Sequence, residues 1–197
     1  ELYASSDYIT INISSPNTKG LRDLQNKESF AELVKQLKKQ QQRLFDQTHK
    51  FVPIFFKIAP DINIEQAEDI AKTALKNKID GLIISNTTIS REFDLLDKNQ
   101  NEQGGLSGKP LFDKSTELLR EIYKLTKGKI TLIGVGGISS AEDAYKKIRA
   151  GASLVQSYSA FIYQGFALTN EINQGLIKLL EKDGFTNISE AVGKDIR

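Results

Sequence analysis

The 197-residue sequence is 39% apolar, enough for one sizeable core, and its 27 basic against 25 acidic residues leave a net charge of +2 spread along the chain. That distribution offers nucleic acid no basic patch, and the absence of cysteine excludes disulfides, thiolate catalysis and Cys-based metal or iron–sulfur sites within these residues. No apolar stretch reaches the roughly 18 residues that span a bilayer, and the N-terminus has neither a signal peptide's apolar core nor an initiator Met, so the sequence reads as cut from something longer.

Five short β-type runs alternate with amphipathic, charge-laced segments, and nothing demands more than one domain over residues 1–197. The first run is Tyr8 to Ile13, followed by a long helix from Ser29 to Gln47. The single histidine, His49, falls in the polar stretch after that helix and reads as a solvated loop residue. The second run, Pro53 to Ile58, leads to a helix from Ile64 to Lys76, opened by Asn63 with Gln66 three residues on. The third, Gly81 to Ser85, precedes a helix from Asp113 to Lys127 that Gly128 terminates. The fourth, Thr131 to Val135, leads to a helix from Ala141 to Ala150, with Ser140 and Asp143 at its start and Gly151 behind it. The fifth, Ser153 to Gln156, precedes a helix from Ala167 to Lys182. Each run is nearly all apolar rather than alternating, which predicts strands buried on both faces in a helix-covered parallel sheet, an α/β class. A doubly wound open sheet and part of a (β/α)8 TIM barrel share that alternation, and periodicity does not choose between them.

Each run ends in polar or glycine residues: Asn12 and Ser15, Lys57, Ser85 with Asn86 and Thr87, Gly136 with Gly137, and Tyr158 with Ser159. Five such ends on one face favour the barrel, whose chemistry gathers at the C-terminal ends of its strands; an open sheet concentrates its site at one switch point. The Ile133 to Ile138 segment leaves a strand through two glycines and enters a helix near Ser140, so its N–H groups could cradle a phosphate, with Tyr158 and Ser159 on the next loop. Lys57 interrupts an apolar run, where an uncompensated ammonium is costly, and an electron-rich ligand would supply its partner. The loop from Asn12 to Thr18 packs amides, hydroxyls and a Pro-fixed backbone together and suits a small planar ligand. Ser15 has no His or acidic neighbour in that loop, and as a base it needs a water-poor pocket and a route for its proton.

Six strings, NISSPNT at Asn12 to Thr18, KIAPD at Lys57 to Asp61, SNTT at Ser85 to Thr88, GGLSGKPL at Gly104 to Leu111, IGVGGI at Ile133 to Ile138 and QSYSAFIYQG at Gln156 to Gly165, resemble class 2 dihydroorotate dehydrogenase in order and spacing, from about Tyr3 to Ile177. The resemblance implies an FMN-binding (β/α)8 barrel, incomplete at its N-terminus, of which this chain supplies about the last five βα units. It implies oxidation of (S)-dihydroorotate to orotate in pyrimidine biosynthesis, with a membrane quinone as electron acceptor, reached through an N-terminal part not in this sequence. By the same resemblance Ser15 is the catalytic base. Asn12 touches flavin and substrate, while Asn17, Asn86 and Thr87 bind the pyrimidine. Lys57 faces the flavin ring, and Ser85, Gly108, Gly137, Tyr158 and Ser159 make further FMN contacts, the last three around the phosphate. A monomer, peripheral on the cytoplasmic face of the bacterial inner membrane, is likewise implied.

The sequence departs from the family pattern at Ser85, where many relatives carry threonine, and at Phe166, where proline is usual. Five strands cannot close an eight-stranded barrel, so inner-face residues such as Ile11, Phe56 and Ile84 are expected to be exposed and the segment alone inactive. Another FMN barrel acting on a dihydropyrimidine-type substrate, or a non-catalytic barrel fragment, are the alternatives.

Overall fold

The computed structural model describes residues 2–196. Five strands, β1 (Ile9–Asn12), β2 (Ile54–Ile58), β3 (Gly81–Ile84), β4 (Thr131–Val135) and β5 (Leu154–Gln156), form one all-parallel sheet in the order β1-β2-β3-β4-β5. An order that never reverses, joined by right-handed crossovers, lays every connecting helix on the same side of the sheet. A doubly wound sheet requires a reversal, so the fold is an arc of a (β/α) barrel, as the strand ends predict.

The helices are α1 (Lys27–Thr48), α2 (Ile64–Lys76), α3 (Phe112–Thr126), α4 (Ala141–Arg149), α5 (Ser159–Gln164), α6 (Ala167–Asp183) and α7 (Ile188–Ala191). Their boundaries follow the sequence signals closely. Asn63 and Gln66 form the reciprocal capping box at the start of α2. At α4 the Ser140 hydroxyl accepts from the Asp143 N–H, but the Asp143 carboxylate turns to the Ser139 N–H and hydroxyl, so only half the expected box forms. His49 is exposed and caps the C-terminal end of α1 in the left-handed conformation. The short helices α5 and α7 were not signalled by periodicity, because four to six residues span barely one turn.

The main core lies between sheet and helices. Phe30 and Val34 of α1, the small face Ala67, Ile70, Ala71 and Ala74 of α2, and Leu119 and Ile122 of α3 pack on Ile54, Phe56, Ile58, Leu82, Ile84 and Leu132. Phe30 meets Phe56 edge to face at 5.4 Å. The expectation that Ile11, Phe56 and Ile84 line the barrel interior is therefore corrected: Phe56 and Ile84 are 0% exposed beneath the helices, and Ile11 packs against the same cluster. The inner face carries the alternate residues, with Phe55, Ile83, Ile133 and Val135 in a smaller cluster and Lys57 in register with Asn12 and Ile83. Side chains alternate across a strand, but a run that is apolar at every position does not reveal its phase. Burial on both faces holds for β3, where all four residues are buried, and fails at the sheet margins, where Thr10, Asn12 and Leu154 are exposed.

Candidate functional site

The polar strand ends converge on the C-terminal edge of the sheet around a cavity of about 420 Å³. Its walls include Lys57 from β2, Ser85, Asn86 and Thr87 after β3, Gly108 before α3, Gly137 after β4, and Tyr158 and Ser159 at the start of α5. Eight of the eleven residues singled out in the sequence thus share one cavity. Asn12, at the end of β1, and Ser15 and Asn17, on the loop after it, lie outside the cavity wall. Asn12 is linked in directly: Asn86 Nδ2 donates to Ser14 Oγ at 2.9 Å and to Asn12 Oδ1 at 3.3 Å, and the Ser14 hydroxyl donates to Asn12 Oδ1 at 2.8 Å. Ser15 Oγ accepts from the Asn17 N–H at 3.3 Å, and Asn17 is exposed.

Around Asn86 the backbone is held from both sides. The Ser85 N–H donates to the Val135 carbonyl at 3.2 Å and the Asn86 N–H to the Ile58 carbonyl at 2.9 Å, so this polar end is tied to its neighbours in the sheet. Residues 89–105 make an excursion closed by the Thr88–Leu106 bridge, and Gly105 returns against Thr87 so closely that a Cβ there would sit 1.9 Å from Thr87 Oγ1. Only glycine lets the excursion lie on that hydroxyl.

In the cavity wall, Gly136 and Gly137 have φ values of 109° and 75°. Their N–H groups donate to no backbone carbonyl among the described residues. A Cβ on Gly137 would come within 2.6 Å of Phe112 Cβ, so α3 supports the loop from below and side chains are excluded. Across from it Ser107 Oγ and Ser159 Oγ lie 2.9 Å apart, and the Ser157 hydroxyl donates to the Ile138 carbonyl at 2.7 Å, joining the loops after β4 and β5. Two amides without a carbonyl partner among the described residues and the first turn of α5 fit a phosphate group, and Lys57, on the same cavity, fits an electron-rich ring. Burial lowers the Lys57 ammonium below the ordinary lysine range, and among the described residues it forms no ion pair.

Two features escaped sequence reasoning. Asp61 accepts from Arg22 at 2.9 Å, from Lys114 at 2.7 Å, from the Ile89 N–H at 3.0 Å and from the Thr88 hydroxyl. Arg22 in turn donates to the Ser14 carbonyl at 3.0 Å and the Thr87 carbonyl at 3.1 Å. One carboxylate therefore joins the loops after β1, β2 and β3 to α3. Its position just past β2, inside KIAPD, was the available signal. Burial alone would raise the Asp61 carboxyl, but the hydrogen bonds from Lys114, Thr88, the Ile89 amide and Arg22 outweigh it and hold it below the usual carboxylate range. The second feature is Lys147, wholly buried beneath the glycine loop. Its signal was a charge beside Ala144 and Ile148 on the apolar face of α4.

The family model described as dihydroorotate dehydrogenase matches residues 1–180. A dihydroorotate dehydrogenase (quinone) of Parvibaculum lavamentivorans is 53% identical over 191 residues, covering 97% of this chain and 53% of the relative. A mitochondrial dihydroorotate dehydrogenase (quinone) of Arabidopsis thaliana is 53% identical over 194 residues, covering 98% of this chain and 42% of the relative. The crystal structure of DHODH from Eimeria tenella in complex with ferulenol superposes with a TM-score of 0.94 at 38% identity, covering 98% of this chain and 55% of that one. The chain spans about half the length of the curated relatives it matches. With a family match across most of its length and the same barrel arc as a solved member, the chain belongs to the dihydroorotate dehydrogenase family.

Proposed function

We propose that these residues form part of a quinone-dependent dihydroorotate dehydrogenase that binds FMN in the cavity above β2 to β5 and oxidises (S)-dihydroorotate to orotate in pyrimidine biosynthesis. The observation that carries this reading is that Lys57 and the Gly136–Gly137 loop open into one cavity, as a single ligand with an electron-rich ring and a phosphate requires. Bound there, FMN supplies the acceptor for the hydride from substrate C6. Ser15, half-buried on the loop after β1, would take the proton from C5, which is acidified by the adjacent carbonyl, and pass its own hydroxyl proton on to solvent. Asn12, Asn17, Asn86 and Thr87 hold the pyrimidine ring through amide and hydroxyl groups, and the Asn86–Ser14–Asn12 bonds aim two of them together. Lys57 would supply positive charge to a flavin ring held in this cavity and so favour its acceptance of hydride. Ser85 and Gly108 complete the flavin wall, while Gly137, Tyr158 and Ser159 hold the phosphate.

The relatives' names support quinone as the final acceptor. The membrane contact belongs to a part of the protein outside these residues, with the whole a monomer placed peripherally on the cytoplasmic face of a bacterial inner membrane. Among the described residues no helix is long and apolar enough to cross a membrane. The exposed inner face at β1 and β5 supports a further point: these 197 residues alone do not turn over substrate.

The test is anaerobic bleaching of the visible flavin band of the purified full-length protein by dihydroorotate, wild type against Ser15→Ala. Bleaching that slows by on the order of a hundredfold or more in the variant supports the reading. A flavin that dihydroorotate leaves oxidised moves the substrate to another dihydropyrimidine, and a colourless protein ends the FMN assignment.

A further inference from the structure

Lys147 of α4 is 0% exposed, yet among the described residues no carboxylate touches it. Its ammonium donates to Ser115 Oγ at 2.6 Å and to the Phe112 carbonyl at 3.3 Å, and it lies 5.0 Å from the centre of the Phe112 ring. An ammonium taken wholly out of water needs more than a hydroxyl and a carbonyl to offset its lost hydration. The residues it grips explain its position. Ser115 Oγ lies 3.4 Å from the Gly136 carbonyl, and a Cβ on Gly136 would be 2.7 Å from that same oxygen. Phe112 is the residue against which Gly137 closes. The lysine stem packs beside Gly134, where a Cβ would sit 3.2 Å from Lys147 Cβ. Lys147, the first turn of α3 and the glycine loop are one packed unit, with the lysine on the protein side of a loop whose two glycines line the cavity.

We propose that Lys147 is a positioning residue and buried counter-charge for the phosphate cradle: it braces Phe112 and Ser115 against Gly136–Gly137 and tightens the hold on a phosphate dianion while it is protonated. This rests on the reading of that loop as the FMN phosphate site. Burial pushes the ammonium down to about 7, with the Asp113 and Asp143 carboxylates acting through space to oppose the shift. Asp113 lies on α3 and Asp143 on α4, whereas β4, the Gly136–Ser140 loop and the Ala150–Ser153 turn carry no charge. A phosphate above the loop favours the protonated lysine, so phosphate binding draws in a proton and weakens as the pH rises past neutrality. The phosphate's second ionisation has a pKa of about 6, so the dianion predominates across that window and its fraction rises, rather than falls, with pH.

The experiment compares FMN with riboflavin, which lacks the phosphate, as ligands of the deflavinated full-length protein between about pH 6.5 and 9.5, in wild type and Lys147→Met. In the wild type, FMN affinity should fall severalfold or more across the range while riboflavin affinity stays level. The variant should bind FMN at least tenfold more weakly near neutral pH, lose the pH dependence and bind riboflavin as before. Equal losses for both ligands, or FMN affinity within twofold of wild type, would overturn the proposal and leave Lys147 a packing residue. If Lys147→Met does not fold, the wild-type pH profile decides alone, and a flat profile overturns it. A wild type that fails to prefer FMN over riboflavin overturns the phosphate reading itself, and the proposal with it.

Discussion

Arg22 and Asp61 meet at 2.9 Å across 39 positions of sequence, and the pair sets the mutual placement of three loops. Arg22 carries the Ser14 and Thr87 carbonyls on its remaining donors, and Asp61 carries Thr88, Ile89 and Lys114. The proposed substrate asparagines sit at these loops, Asn12 where β1 ends and Asn86 just after β3.

Asp61→Asn keeps the shape but removes the charge that two neutral donors and two cations address. It should lower stability by roughly 2 to 3 kcal/mol and reduce kcat/KM more than tenfold, read by denaturant titration and steady-state kinetics. Because the folded carboxyl lies below its ordinary value, its contribution is complete above the unfolded carboxylate range near pH 4 and disappears as the pH falls through the folded value. Acid sensitivity should therefore be smaller in the variant than in the wild type. Equal acid midpoints would contradict the hub.

Lys57→Met should leave the fold intact, because the ammonium has no ion pair to lose among the described residues and its burial already opposes its charge. Flavin reduction should slow by about a hundredfold, the usual scale for removing one electrostatic stabiliser at a reacting centre. Unchanged stability with slowed reduction separates this role from packing; unchanged reduction would place the lysine outside the chemistry.

Gly137→Ala requires a side chain at φ 75° and within 2.6 Å of Phe112 Cβ. The loop must move away from α3, at a cost of about 1 to 3 kcal/mol, and its amides leave their alignment. FMN content after purification should fall sharply while the secondary structure seen by circular dichroism persists. Retention of a full complement of flavin would show that the loop does not hold the phosphate.

Lys147 also predicts how the flavin-free protein responds to pH. Its folded value near 7 lies below the unfolded value of 10.5, so between those limits the unfolded chain binds the extra proton and stability rises with pH. Relative to Lys147→Met, the wild type should gain stability from pH 7 to pH 10, by an amount on the order of a few kcal/mol. The difference between two urea-denaturation series measures it, and parallel curves would rule it out.

The sequence by itself determined the α/β alternation, five strands, the helix boundaries at Asn63 and Ser140, and the polar strand ends, because capping side chains, glycines and apolar runs act over a few residues. It also carried the family resemblance in contiguous strings such as NISSPNT and IGVGGI. Tertiary structure alone decided which face of each strand is interior. Phe55 and Phe56 are both apolar, and only tertiary packing, with Phe30 and the other helix-side residues on Phe56 and Ile83 and Ile133 beside Phe55, set which faces the helices. It alone made Asp61 a hub and Lys147 a buried cation, because their partners, Arg22 and Ser115, are 39 and 32 positions away. Local pattern specifies what a segment can become; contacts between distant segments, formed when the strands align in register, decide which side chains face one another.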